Sequence, residues 1–592
     1  MIFFGLLTIL APIDWVIMAA YFVLTIVIGL WFTGQASKNL NAFFLGGRNL
    51  PWYLAGISMV ATTFAADTPL AVTELVAKNG ISGNWLWWNM MASGMLTTFF
   101  FAKLWRRAEV LTEVELIEMR YSGEPAAFLR GFKALYLGLF MNCLIIGWVN
   151  LALVAILQVF FDLSLQDALF WTAAAMAFTA VYSSLSGLIG VAITDAFQFV
   201  IAMVGCVVLA YLVIYSEPIG GMQGLKSKVP EWSLHFFPTI GTTNNMGNTL
   251  TISVCTFLAY AGVQWWASWY PGAEPGGGGY IAQRMMSAKD EKNAVYATLF
   301  FQIAHYCIRP WPWILVGLAT LVLYPDLPEA DKKLGYVMAM KQFLPDGLRG
   351  MLLVAFFAAY MSTISTQLNW GASYLVNDLY KRFIRKEADD KELILAARVT
   401  TIALMMVGLF VSTIIESISG VWSFIIECGA GLGLVLILRW YWWRINAWSE
   451  IVATIAPFIG YAICKWVLHV EFPLSLFITV GITTVAWIVA TFATAPTDFD
   501  TLKRFVQKVK PDGYWLPITQ QLNLEDKNPK TLSNTRYLFV CWISALTMNY
   551  AMLFGSGKLL FAEWNSAFIF LGIAAVSFAI LRQALKKTDV LN

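Results

Sequence analysis

The chain has 592 residues, 59% of them hydrophobic and only 13% charged, with a net charge of +3 and a mean hydropathy of +0.66. That is far more apolar than a soluble protein allows and implies an all-α polytopic membrane protein, with the lipid bilayer as its first partner. The small net charge, with basic residues spread over short loops, excludes a nucleic-acid-binding surface.

Taken in order, residues 1–12 are apolar but lack a basic start and a cleavage site, so they read as an interfacial lead-in rather than a signal peptide. Runs near twenty apolar residues place spans at about 14–34, 51–78, 84–104, 126–161, 168–186, 189–215 and 247–271. Further spans fall at about 294–324, 344–379, 391–415, 418–443, 447–469, 472–494, 535–555 and 559–582, which makes about 15 helices. Lys and Arg collect in loops 103–133, 380–391 and 495–534 and in the tail, all on one face by this count. The positive-inside rule makes that face cytoplasmic, with the N-terminus outside and the C-terminus inside a plasma (inner) membrane. In loop 495–534, Leu502, Phe505, Val506 and Val509 recur at helical spacing beside basic residues, which predicts a helix lying on the inner membrane surface.

The second span, 51–78, carries Thr62, Thr63, Asp67 and Pro69. Pro69 predicts a kink or unwinding near 65–69. Carbonyls freed at membrane depth persist only where they are buried in protein or line a watery cavity, and interrupted helices of this kind supply ion ligands in secondary transporters. In the ninth span, Ala359, Ser362, Thr363 and Thr366 stand at i, i+3, i+4 and i+7 and form one stripe. Hydroxyls beside backbone carbonyls suit a small hard cation such as sodium, although they can also bond back to their own helix. Asp195, early in the sixth span, is a functional candidate because a carboxylate in a membrane segment is costly. Asp67, Glu74, Arg309 and Glu427 are the other ionisable groups in spans, each a candidate or a paired structural charge. His305 reads as a satisfied core histidine.

Aromatic residues crowd the same regions at Trp85, Trp87, Trp88, Trp148, Trp265, Trp266 and Trp269. They suit an interface belt, stacking on a sugar ring, or a cage for an organic cation. The stretch 272–279 has four glycines in a row but no Gly-Lys-Ser/Thr ending, so it is not a phosphate loop. Gly429, Gly431 and Gly433 predict close helix approach. The seven cysteines fall singly in apolar runs and read as small buried hydrophobes, not disulfides or metal ligands. With three scattered histidines no enzyme nucleophile or metal centre emerges, and no cofactor is expected beyond Na+ as coupling ion.

Four segments then resemble the sodium:solute symporter family, in matching order over roughly residues 14–470. They are Phe43-Phe44-Leu45-Gly46-Gly47-Arg48-Asn49-Leu50-Pro51-Trp52, the run Ser186 to Gln198, Gln283-Arg284 with Ala288-Lys289, and Ala359 with Ser362-Thr363. The resemblance implies a leucine-transporter-like core of two inverted five-helix repeats with helices added at both ends. The parts would be a lead-in and extra helix (1–50), a first repeat (51–216), an outer loop (217–246), a second repeat (247–443), added helices (444–494), a cytoplasmic loop (495–534) and two final helices with a tail (535–592). It also implies a sodium site from the backbone oxygens of Ala61, Phe64 and Ala359 with the hydroxyls of Ser362 and Thr363. A second sodium site, found in some members, would map to Asp195, Ser362, Ser365 and Thr366. Tyr280 matches a tyrosine that gates the solute from the inner side in sugar-transporting members.

Departures accompany the match. Thr68 stands at a glutamine position, the third span offers Trp87, Trp88 and Asn89, and Arg309 lies near a lysine position. With Glu74, Trp266 and Tyr280, these are the candidate solute residues. The expectation is a sodium-coupled importer of a small polar solute, a sugar or polyol first, acting as monomer or homodimer. A choline-like cation, an amino or organic acid, or a solute-sensing role stay open as alternatives.

Overall fold

The computed structural model describes residues 10–241, 251–415, 418–522 and 528–590. Most of the expected lead-in and the end of the expected outer loop, 242–246, lie outside them. The principal helices are α1 (Pro12–Ala36), α2 (Trp52–Thr62), α3 (Asp67–Asn79), α4 (Gly123–Phe161), α5 (Leu165–Ile214), α6 (Gly279–Ser287) and α7 (Glu291–Leu323). They continue with α8 (Leu348–Ile384), α9 (Asp390–Ser412), α10 (Ile418–Cys428), α11 (Leu432–Tyr441), α12 (Ala447–Val467) and α13 (Leu474–Ala493). The last three are α14 (Phe499–Val509), α15 (Asn534–Leu560) and α16 (Trp564–Leu585).

Among the described residues, ten helices are long and apolar enough to cross a membrane, or eleven if α2 and α3 count as one bent span. The expected count of about 15 is not established by this measure, and the chain shows why. The run near 84–104 and the described part of the run 247–271, from residue 251, are divided into short pieces, and 418–443 is divided between α10 and α11. The runs 168–186 and 189–215 form the single 50-residue α5, bent at Gly187 with φ +55°. A Cβ there would stand 2.7 Å from the carbonyl oxygen of Phe43, so glycine lets the Phe43–Phe44 segment cross the bend.

The break between α2 and α3 turns the chain by 60°. Pro69 falls in the first turn of α3, where a missing N–H costs nothing, so it opens the second half rather than kinking a continuous helix. Asp67 in the same turn favours the positive end of that helix.

At the centre α8 packs between α5, α1 and α2. Gly433 permits a second close crossing, since its Cβ would meet the Trp266 carbonyl at 2.2 Å. Backbone bonds Trp269 N–H to Gly429 O (3.1 Å) and Gly431 N–H to Ala267 O (2.9 Å) tie this crossing together.

The helix expected on the membrane surface is covered by protein instead. Leu502, Phe505, Val506 and Val509 of α14 are all buried, and Phe505 meets Trp440, Trp515 and the Arg120 guanidinium. The apolar stripe was legible, but what covers it depends on contacts distant in sequence. The C-terminal pair α15 and α16 also joins the body: Tyr550 donates to Trp88 O (2.9 Å), Trp542 to Ala92 O (2.9 Å) and Asn549 to Gln302 O (3.2 Å). The cysteines are all free, and all but Cys255 are buried.

Candidate ion and solute site

Three elements meet at the break. The Thr363 hydroxyl on α8 donates to the carbonyl oxygen of Thr62 (2.8 Å) and more weakly to Ala359 O (3.3 Å). The Thr62 and Thr366 hydroxyls share a 3.0 Å hydrogen bond. Asp195 of α5 accepts from Ser362 (2.6 Å) on one carboxylate oxygen and from Ser58 (2.6 Å) on the other. Ala61 O accepts the N–H of Phe64 (3.0 Å) as α2 ends. Ser365 bonds back to Ser362 O (3.0 Å). Of the residues expected for sodium, Ala61, Phe64, Ala359, Ser362 and Thr363 therefore lie around one junction, with Asp195 and Thr366 beside them.

A residue without an assigned role in the sequence enters the second group. Arg284 of α6 is fully buried and donates to Thr366 Oγ1 (2.6 Å) and Ser58 Oγ (3.1 Å). Its Nη2 lies 3.7 Å from Asp195 Oδ2. Gln283 beside it binds Phe44 O (3.0 Å) and Asn369 (2.9 Å), and accepts from Arg284 (2.9 Å). The guanidinium thus reaches Thr366 and Asp195, two of the four residues expected for a second cation. Paired and hydrogen-bonded in this way, both buried charges are tolerated.

The solute candidates divide. Arg309 on α7 donates to Thr63 Oγ1 (3.0 Å), to His305 Nε2 (3.3 Å) and, at 3.4 Å, to Val60 O. Since Nε2 accepts, the neutral histidine carries its proton on Nδ1 and donates to Thr63 Oγ1 (3.1 Å). Trp87 stacks on Tyr306 at 5.4 Å and meets His305 edge-on at 5.6 Å. Phe64 lies 4.8 Å from Trp313, over which Arg309 also sits. Tyr280 is buried edge-on to Trp370, and Thr68 Oγ1 accepts the Ala65 N–H (3.2 Å) to cap the break.

Four candidates do not join this cluster. Trp88 is buried against Trp85 and Phe554. Asn89 donates to Trp85 O and Leu86 O of its own segment. Trp266 donates to Gly262 O (2.6 Å), and Glu74 pairs with Lys78 (2.6 Å). Thr63, His305 and Tyr306 were missed as site residues, although His305 and Arg309 at i and i+4 share a helix face.

The model of the Sodium:solute symporter family matches residues 43–456. Sodium/myo-inositol cotransporter 2 of Oryctolagus cuniculus is 24% identical over 491 residues, 76% of this chain and 70% of that protein. Sodium/glucose cotransporter of Vibrio parahaemolyticus is 24% identical over 474 residues, 76% of this chain and 84% of that one. A Na+-coupled sialic acid symporter solved in a substrate-bound outward-open state superposes with a TM-score of 0.67 at 18% identity, covering 82% of this chain and 99% of that one. That likeness establishes the fold. A many-spanning helical body, a helix broken at its centre and a family match over most of its length lead to one conclusion: the chain belongs to the sodium:solute symporter family.

Proposed function

We propose that this chain carries a sugar or polyol inward with sodium, by alternating access across the plasma membrane. One observation carries the reading: the α8 hydroxyls reach across to the carbonyl end of α2, with Thr363 bonded to Thr62 O at 2.8 Å. A dehydrated sodium ion needs several oxygens, and we assign it the carbonyls of Ala61, Phe64 and Ala359 with the hydroxyls of Ser362 and Thr363. A hydroxyl that now donates to a carbonyl turns a lone pair to an arriving cation without any change of charge. A second sodium at Asp195, Ser362, Ser365 and Thr366 requires Arg284 to leave Thr366, so the guanidinium and that ion alternate.

For the solute we assign Thr63, Thr68, Trp87, Tyr280, His305 and Arg309, which offer stacking faces and donors suited to a hydroxylated ring. The relatives named for myo-inositol and glucose support this class. The repeats 51–216 and 247–443 would move about the site, with the basic loops cytoplasmic and the N-terminus outside, in a monomer or homodimer.

A second reading rests on Arg309. Among the described residues it forms no ion pair, and its Nε is buried without a partner. This favours a solute bearing a carboxylate over an organic cation.

The test is the melting temperature of the purified full chain with glucose, myo-inositol, a sugar acid, an amino acid and choline, each in sodium and in potassium. A ligand bound only by the folded state at a hundred times its Kd stabilises by about 2.7 kcal/mol. A shift for glucose or myo-inositol in sodium alone supports the proposal. A shift for the sugar acid alone selects the second reading, and shifts indifferent to the cation overturn the sodium assignment.

A further inference from the structure

The segment joining the short helices before residue 268 to α6 encloses two carboxyl groups that the sodium site does not use. Glu113 and Glu274 are 4% and 2% exposed. Gly278 lies between them: a Cβ there would stand 3.1 Å from Glu113 Oε2 and 3.2 Å from the Cβ of Glu274. A Cβ on Gly279 would come within 2.7 Å of Glu274 Oε1. Gly276, Gly277 and Gly279 take positive φ of +81°, +76° and +55°. The carboxyls thus account for Gly278 and Gly279, while Gly276 and Gly277 are held by their positive φ and by contacts with Leu436 O, Phe101, Thr97 and Trp105.

The two acids are treated unequally. Glu113 accepts the Gly279 N–H (2.7 Å), the Tyr374 hydroxyl (3.2 Å) and Arg439 Nη2 (3.4 Å). Glu274 accepts only the Gly272 N–H, at 3.1 Å on Oε2. Its Oε1 is buried with no hydrogen-bond partner, and among the described residues no cation pairs with it. The titratable groups around it are Glu113 from the loop before Glu115 and Tyr280 of α6, with Tyr374 and Arg439 turned to Glu113 and with Arg284 and Arg309 reaching only as far as Tyr280. None supplies Glu274 with a positive charge. An ionised, unpaired carboxylate buried beside a second carboxylate is costly, and one proton on Oε1 removes that cost.

We propose that Glu274 is a proton-binding site at the break before α6, with the proton held on its otherwise unpartnered Oε1. The step is a simple transfer: water delivers H+ to Oε1 and receives it back. With the proton on Oε1, Glu274 is neutral beside a Glu113 that keeps Arg439.

Infrared difference spectra of the purified full chain in sodium buffer, titrated from mildly acidic to alkaline pH, test this without a solute. Wild type should show a carboxylic-acid C=O band that disappears on deprotonation. Glu274→Gln should lack that band, and Glu113→Gln should keep it with its titration moved to lower pH by about one unit, since a neighbouring negative charge is gone. No titrating band in wild type, or the same band in Glu274→Gln, overturns the proposal. If Glu274→Gln does not fold, Glu274→Asp decides: a displaced band supports the assignment, and an unchanged one places the proton on another carboxyl and overturns it.

Discussion

Thr363 and Thr62, 301 positions apart, are joined by a 2.8 Å hydrogen bond from a hydroxyl to a carbonyl at the end of a broken helix. Thr363→Ala removes that donor and an oxygen from the proposed sodium ligands while leaving the apolar packing of α8 intact. Sodium-dependent stabilisation should need roughly tenfold more sodium, the value of one hydrogen bond to a charged group. Melting in potassium should barely change. A sodium titration of the melting temperature checks both, and equal sodium dependence in the variant would remove Thr363 from the site.

Arg284 and Asp195 should be energetically coupled through Ser58 and Thr366. Arg284→Gln and Asp195→Asn each leave a buried charge with fewer partners, at a cost of about 3–5 kcal/mol. The double variant should lose clearly less than the sum, as neighbours in one network do. Denaturation of all four proteins completes the cycle, and strict additivity would refute the coupling.

Gly433→Ala places a methyl 2.2 Å from the Trp266 carbonyl and 2.7 Å from Pro275. A backbone oxygen cannot yield as a side chain can, so the loss should be about 3 kcal/mol or more. Gly262→Ala meets nothing within 4 Å and should stay within about 0.5 kcal/mol of wild type. Comparing the two melting curves checks the helix crossing.

Phe505→Ala distinguishes a buried α14 from one resting on lipid. Packed between Trp440 and Trp515, the ring should cost about 3–5 kcal/mol when removed. A loss below about 1 kcal/mol would return the helix to the membrane surface.

In the basic loop 103–133, Glu118 is partly buried, which works against its charge. Arg382 (2.9 Å) and Arg130 (2.7 Å) outweigh that and hold its carboxyl below the usual range. Lower in the folded than in the unfolded chain, it adds stability that is full above the unfolded value and fades as pH falls through the folded one. Glu118→Gln should therefore flatten the acid side of the stability profile and leave its alkaline side unchanged, as melting against pH will show.

The reach of the sequence followed the range of its signals. Local chemistry was readable: Pro69 marked the broken span, the hydroxyl stripe of Ser362, Thr363 and Thr366 marked the face of α8 that meets it, and Gly429, Gly431 and Gly433 marked a close crossing. What escaped depended on partners distant in the chain. Arg284 carried a motif without a role because Ser58, Thr366 and Asp195 meet it only in three dimensions. Trp88 and Asn89 looked like solute contacts until their own segment and α15 proved to use them. The number of spans blurred because apolar runs that break into short pieces fail any test of continuous length.

The anchoring of α15 onto the third run has a mechanical consequence. With Tyr550 fixed to Trp88 O and Trp542 to Ala92 O, that run cannot tilt alone. Any rocking that moves it drags the α15–α16 pair through the surrounding acyl chains. The viscosity and thickness of the bilayer around these two helices thus become part of the load against which any such motion works.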